Sequence, residues 1–176
     1  MKKDGYIRPV IVLTVICLVV AALLAYINSI TEPIITQAAI RDAEKARTEV
    51  LSDADSFTAF EDLSVLPDAV EEAYVADNGA GCVFILHGSG YGGTMRIIIG
   101  IKDDGTISGT KVLEHSETAG LGARVTGEDF RSQFPGKDSS LDGVQVISGS
   151  TVSSKCFINM VDLAFEAKAV IDGEGA

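Results

Sequence analysis

Thr94–Leu113 reads T-M-R-I-I-I-G-I-K-D-D-G-T-I-S-G-T-K-V-L, and its reading decides the fold. Two runs rich in β-branched residues, Thr94 to Ile101 and Thr106 to Leu113, flank Lys102-Asp103-Asp104-Gly105. Asp-Gly is a turn dipeptide: hairpin turns need positive φ, which glycine adopts at no steric cost. The stretch therefore predicts two antiparallel strands. Upstream, Val70 to Ala76 and Cys82 to His87 are two more short strand candidates, around the turn Asp77-Asn78-Gly79-Ala80-Gly81. Ser52 to Pro67 shows no period and is expected to loop.

Gly88-Ser89-Gly90-Tyr91-Gly92-Gly93 joins the two pairs. Its spacing matches G-x-G-x-x-G, but a dinucleotide fingerprint needs a helix directly afterwards, and here a strand pattern follows. The glycines are expected to form a tight loop where backbone packs closely against something. Beyond the hairpin, Glu114 to Gly122 is a polar, small-residue loop, Gly127 to Phe134 a short helix stopped by Pro135-Gly136, and Val144 to Ile147 a last strand. Ser148-Gly149-Ser150-Thr151-Val152-Ser153-Ser154 then leads into an apolar-periodic helix, Val152 to Val170. A small, hydroxyl-rich loop between a strand and a helix suits phosphate, because the first helical N–H groups and the helix dipole both favour an anion. The plainer alternative is that Ser150 or Thr151 simply caps the helix.

Val10 to Ile27 carries no charge. At a rise of about 1.5 Å per residue it nearly spans a bilayer core of about 30 Å. It is longer than a signal-peptide core, and Ala25-Tyr26-Ile27 lacks the A-x-A cleavage pattern. It is read as an uncleaved anchor. Lys2, Lys3 and Arg8 precede it, so the positive-inside rule places the N-terminus in the cytoplasm and the remainder outside. Ile35 to Leu51 mixes Ala, Glu, Lys and Arg as an amphipathic helix. The expected organisation is an anchor over 1–30, a linking helix and loop over 31–69, and a folded domain over 70–176, of α+β class.

The net charge is −11, with 14 basic residues in 176 and no Trp, which argues against a nucleic-acid partner. Three cysteines and two histidines form no ligand cluster, so no metal site is expected. Cys82 and Cys156 are read as buried free thiols, the alternative being a disulfide if the fold brings them together. A hydrolase using Ser148 or Ser150 would need a base from His87 or His115, and no G-x-S-x-G elbow is present.

Several segments together resemble one family. They are Gly90–Gly93, M-R-I-I-I-G-I, D-D-G-T-I, V-L-E-H-S-E-T-A-G-L-G-A (112–123), F-R-S-Q-F-P-G-K (130–137) and S-G-S-T-V-S-S (148–154). The lysine-rich start, the single span and T-E-P-I-I (31–35) fit as well. In this order they resemble the FMN-binding G subunit of the Rnf ion-translocating complexes, which is related to the C subunit of the Nqr complexes. The resemblance implies an electron-transfer subunit with no catalysis of its own, and an extracytoplasmic domain carrying FMN through a phosphoester on Thr151. It implies that Ser148, Gly149, Ser150, Ser153 and Ser154 hold the phosphate. It further implies that Glu117, Thr118, Gly120, Leu121 and Gly122 pack against the isoalloxazine ring. Implied partners are the membrane, the other Rnf subunits and, during maturation, a flavin transferase. The alternatives are an Nqr-type subunit or an unflavinylated binding module of the same fold. Three positions depart from the family pattern: Gln145 stands for aspartate, Ser150 for alanine and Ala119 for proline.

Overall fold

The computed structural model describes residues 4–173. The chain separates into two compact units, Met1–Glu44 and Lys45–Ala176. The first belongs to helix α1, Asp4–Val50, which is continuous through both expected helices. Between the two expected helices, Val10–Ile27 and Ile35–Leu51, the chain changes polarity, which alters what surrounds a helix without altering its backbone. Within α1, Pro9–Asn28 is long and apolar enough to cross a membrane, with a mean hydropathy of 3.1 and nothing buried. Lys2 and Lys3, on which the orientation rests, lie outside the described residues, as do the side chains of Arg8 and of residues 32–42.

The second unit is built on a five-stranded antiparallel meander in the order β1-β2-β3-β4-β5. Its strands are β1 (Phe57–Ala59), β2 (Val70–Ala76), β3 (Gly81–Ser89), β4 (Thr94–Lys102) and β5 (Ile107–His115). The hairpin expected from Asp104-Gly105 forms as read. Gly105 takes φ +80°, and Asp104 Oδ1 accepts from the Thr106 N–H at 2.9 Å. Strand β1, inside the expected loop, pairs with β2 over three residues. Thr58 in this strand and Ser56 just before it donate their hydroxyls to Asp77, which holds that carboxyl below its usual value.

Successive strand residues face opposite sides, and here both sides are covered, which explains the unbroken apolar runs in β3 and β4. On one side Phe84, Leu86, Ile97 and Ile99 meet helix α2 (Thr151–Ile171). The helix presents Phe157, Met160, Val161, Ala164 and Ala167, all buried at helical spacing. On the other side Val83, Ile85 and Ile98 meet Ala46, Val50 and Leu51 at the end of α1. Gly100 and Gly109, paired across β4 and β5, make room there. A Cβ at Gly100 would collide with the Val50 carbonyl, and one at Gly109 would lie 3.2 Å from Val50 Cα.

Two expectations are corrected between the hairpin and α2. The short helix covers only Glu128–Arg131, after a 3-10 turn over Gly122–Thr126. Phe130, Phe134 and Phe157 close into a buried aromatic trio with ring centroids 5.0–5.4 Å apart, fixing this segment against α2. Val144 to Ile147 is not a strand. Its backbone is satisfied by local turns and side chains instead: the Val144 N–H donates to the Leu141 carbonyl at 3.1 Å, the Gln145 N–H to Gln133 Oε1 at 2.8 Å, and the Ile147 N–H to Ser154 Oγ at 3.1 Å. Beside it, Arg131 closes the free edge of β5, donating to the Thr110 carbonyl at 2.8 Å and the Thr126 carbonyl at 3.0 Å. The Ile107 N–H and carbonyl pair with Lys137 and Gly136.

Cys82 and Cys156 are free thiols. Cys156 Sγ would lie 2.8 Å from a Cβ on Gly88, whereas Cys82 sits six residues earlier on the same strand. At about 3.3 Å per residue that is roughly 20 Å, well beyond the reach of a disulfide.

Candidate functional site

Three loops meet at one end of the second unit. The first, Gly90–Gly93, is the β3–β4 hairpin loop, closed by the Gly90 N–H on the Gly93 carbonyl at 2.9 Å. Strand β4 follows it directly, where a dinucleotide fingerprint would need a helix. The close partner expected for its glycines is Glu117. The Glu117 carboxylate is 7% exposed and accepts from the N–H of Tyr91 at 3.0 Å and of Gly92 at 3.1 Å. Spacing along the chain held no sign of this pairing, since 26 residues separate Tyr91 from Glu117.

The second loop, Glu117 to Gly122, carries exposed Thr118, Gly120 and Leu121 and buried Gly122. Gly120 takes φ +76°, and the Leu121 N–H returns to the Thr118 carbonyl at 3.2 Å. Leu121 is 53% exposed, so an apolar side chain is held out beside the third loop.

The third loop, Ser148 to Ser154, is tied to the second. The Ser150 hydroxyl donates to the Leu121 carbonyl at 2.5 Å, and Arg124 donates to the Ser148 carbonyl at 3.2 Å. Ser150 is the N-cap of α2 but makes no side-chain cap bond. The capping alternative therefore fails. The hydroxyl that would cap the helix is used between loops, and the first N–H groups of a 21-residue helix lack a side-chain acceptor. Thr151 opens this helix and is exposed, with exposed Ser148 and Gly149 before it and Val152, 52% exposed, after it. Gly149 takes φ +82° with open space around it.

Ser153 and Ser154 face the other way. Ser154 is buried as the acceptor for Ile147, and Ser153 is buried beneath Gly122 with its hydroxyl unpartnered. The structure thus brings Thr151, Ser148, Gly149 and Leu121 to one exposed rim and puts Glu117, Ser150, Ser153 and Ser154 under it. Arg124 and Gln133 are supporting residues that the sequence did not single out. Arg124 stands next to a noticed motif, while nothing local marks Gln133. Among the described residues no group of three or more His, Cys, Asp or Glu is placed to hold a metal.

The model of a family described as the FMN-binding domain matches residues 90–166, a span that contains all three loops. Over 180 aligned residues the chain is 31% identical to the G subunit of the ion-translocating oxidoreductase complex of Methanosarcina acetivorans, covering 94% of this chain and 96% of that one. The chain belongs to this G-subunit family. Another relative is the G subunit of the Na(+)-translocating ferredoxin:NAD(+) oxidoreductase complex of Acetobacterium woodii, 29% identical, with 89% of this chain and 88% of that one covered. Among solved structures the chain is similar to NqrC of Shewanella oneidensis, at 23% identity and a TM-score of 0.48, covering 55% of this chain and 56% of that one.

The site fits the flavin nucleotide that the family description names. An uncapped helix N-terminus suits its phosphate, an exposed hydroxyl stands at that N-terminus, and an apolar side chain projects beside it.

Proposed function

We propose that this chain is the electron-transfer subunit of an ion-translocating ferredoxin:NAD oxidoreductase complex, carrying FMN as a phosphoester on Thr151. The observation that carries the reading is the start of α2: exposed Thr151 stands on a helix N-terminus whose capping hydroxyl is engaged elsewhere. The N–H groups and dipole of α2 would hold the phosphate, and Leu121 would offer the ring an apolar contact. The bound flavin supplies the redox chemistry, and the protein orients it and sets its surroundings.

Attachment requires a flavin transferase. The Thr151 Oγ1–P bond forms as the pyrophosphate of FAD breaks, AMP leaves, and the hydroxyl proton passes to the transferase. A covalent link suits a domain on the outer side of the membrane, where lost cofactor is not replaced. The helix Pro9–Asn28 and the G-subunit family together support membrane association, and the charges of Lys2, Lys3 and Arg8 before the span favour an N-terminus on the inner side. The partners are then the other subunits of the complex.

The test is in-gel flavin fluorescence of the full chain, denatured after co-expression with a flavin transferase. A fluorescent band that Thr151→Val abolishes supports the reading. An intact chain without fluorescence refutes it.

A further inference from the structure

Glu117 occupies an unusual place beneath the rim. Each oxygen accepts one backbone N–H from the glycine loop, Oε1 from Tyr91 and Oε2 from Gly92. A carboxylate is acceptor-only, so each of its oxygens meets one donor, where a Gln side chain in the same place would turn its NH2 group toward one of them. On the loop side, a Cβ at Gly90 would collide with Oε1. On the helix side, a Cβ at Gly122 would collide with Oε2 and lie 2.9 Å from Ser153 Oγ. The carboxylate is thus enclosed between the glycine loop, the loop that carries Leu121 and the first turn of α2. Its own N–H is fixed by His115 Nδ1 at 3.3 Å. Its charge reaches its surroundings: the Cys156 thiol is pushed up by burial and, second, by Glu117.

We propose that Glu117 is a positioning residue of the flavin site, latching the Gly90–Gly93 loop to the Thr118–Gly122 loop so that both hold the ring as one mount. The proposal rests on the reading of Thr151 as the attachment point. Its charge has a second consequence. Reduction adds electrons to the flavin, and a fixed negative charge beside the site opposes that addition. Glu117 therefore lowers the flavin midpoint potential as well as limiting ring motion.

Time-resolved fluorescence anisotropy and redox titration of the full flavinylated chain in detergent test this on wild type, Glu117→Gln and Gly90→Ala. Glu117→Gln replaces one acceptor with a donor and removes the charge. Gly90→Ala keeps the charge but displaces the carboxylate. In both variants the flavin stays attached through denaturation, and its residual anisotropy falls toward that of flavin on the unfolded chain. The potential moves positive in Glu117→Gln and moves less in Gly90→Ala. Wild-type anisotropy and potential in both variants overturn the proposal. If Glu117→Gln does not fold, wild-type anisotropy in Gly90→Ala alone overturns it. A wild-type chain without attached flavin overturns the Thr151 reading and this proposal together, whereas attached flavin with unaltered variants overturns the role of Glu117 only.

Discussion

Ser150 and Ser154 both lose a hydroxyl on replacement by alanine, yet the structure predicts unequal costs. Ser150 donates to the carbonyl of Leu121, a residue 53% exposed. In Ser150→Ala that carbonyl turns to water, so only the net value of one hydrogen bond is lost, about 0.5–1 kcal/mol. Ser154 is fully buried and accepts the Ile147 N–H. In Ser154→Ala that donor keeps no partner where water is scarce, which costs about 1–3 kcal/mol. For a folded unit of this size each kcal/mol moves the melting temperature by about 3–4 °C. Differential scanning calorimetry of the full chain in detergent should show Ser150→Ala lower by about 2–4 °C and Ser154→Ala by about 3–12 °C. Ser150→Ala should also keep the in-gel flavin band, because the hydroxyl it removes is engaged with Leu121 and the proposed acceptor, Thr151, is untouched. A Ser150→Ala loss equal to or greater than that of Ser154→Ala refutes the reasoning about which orphaned group can reach water.

Phe157→Ala removes the ring shared by both other members of the aromatic trio and should cost about 3–5 kcal/mol, read as a fall in the urea midpoint. Gly100→Ala places a methyl group against the Val50 carbonyl. It should destabilise by about 1–3 kcal/mol and speed limited proteolysis near Leu51, where an unchanged cleavage rate would contradict the packing. Burial pushes the Cys82 thiol up to about 11 from an ordinary value of 9.0. Its alkylation rate should climb with pH up to about 11, and a plateau near pH 9 would count against the burial. The folded form holds that proton more tightly than the unfolded one, so the stabilisation is full below pH 9 and lost as pH rises to about 11.

Signals confined to a few residues were legible in the sequence. Asp104-Gly105 fixed the hairpin, the glycine run announced a close approach, and the apolar period of α2 gave its extent. What escaped depends on distant partners. Val144 to Ile147 has the composition of a strand, but its backbone is claimed by Gln133, twelve residues away, and by Ser154. Strand β1 is too short at three residues to show a period. The motif residues at 117–122 and 148–154 could be named in advance. Which of them face outward could not, because Ser150 and Thr151 are neighbours whose fates diverge through one bond to Leu121.

Arg131 has a consequence for how this domain meets other proteins. An open strand edge invites further strands, from copies of the same chain or from extended peptides. Here the guanidinium and the Gly136–Lys137 turn occupy backbone groups along the outer side of β5. At the opposite border β1 offers only three residues. The sheet is therefore a poor template for growth at either end, and strand addition is an unfavourable route to assembly. Neighbouring proteins are left to recognise the domain by its loops and helices, at surfaces that can be relinquished without breaking a ladder of backbone bonds.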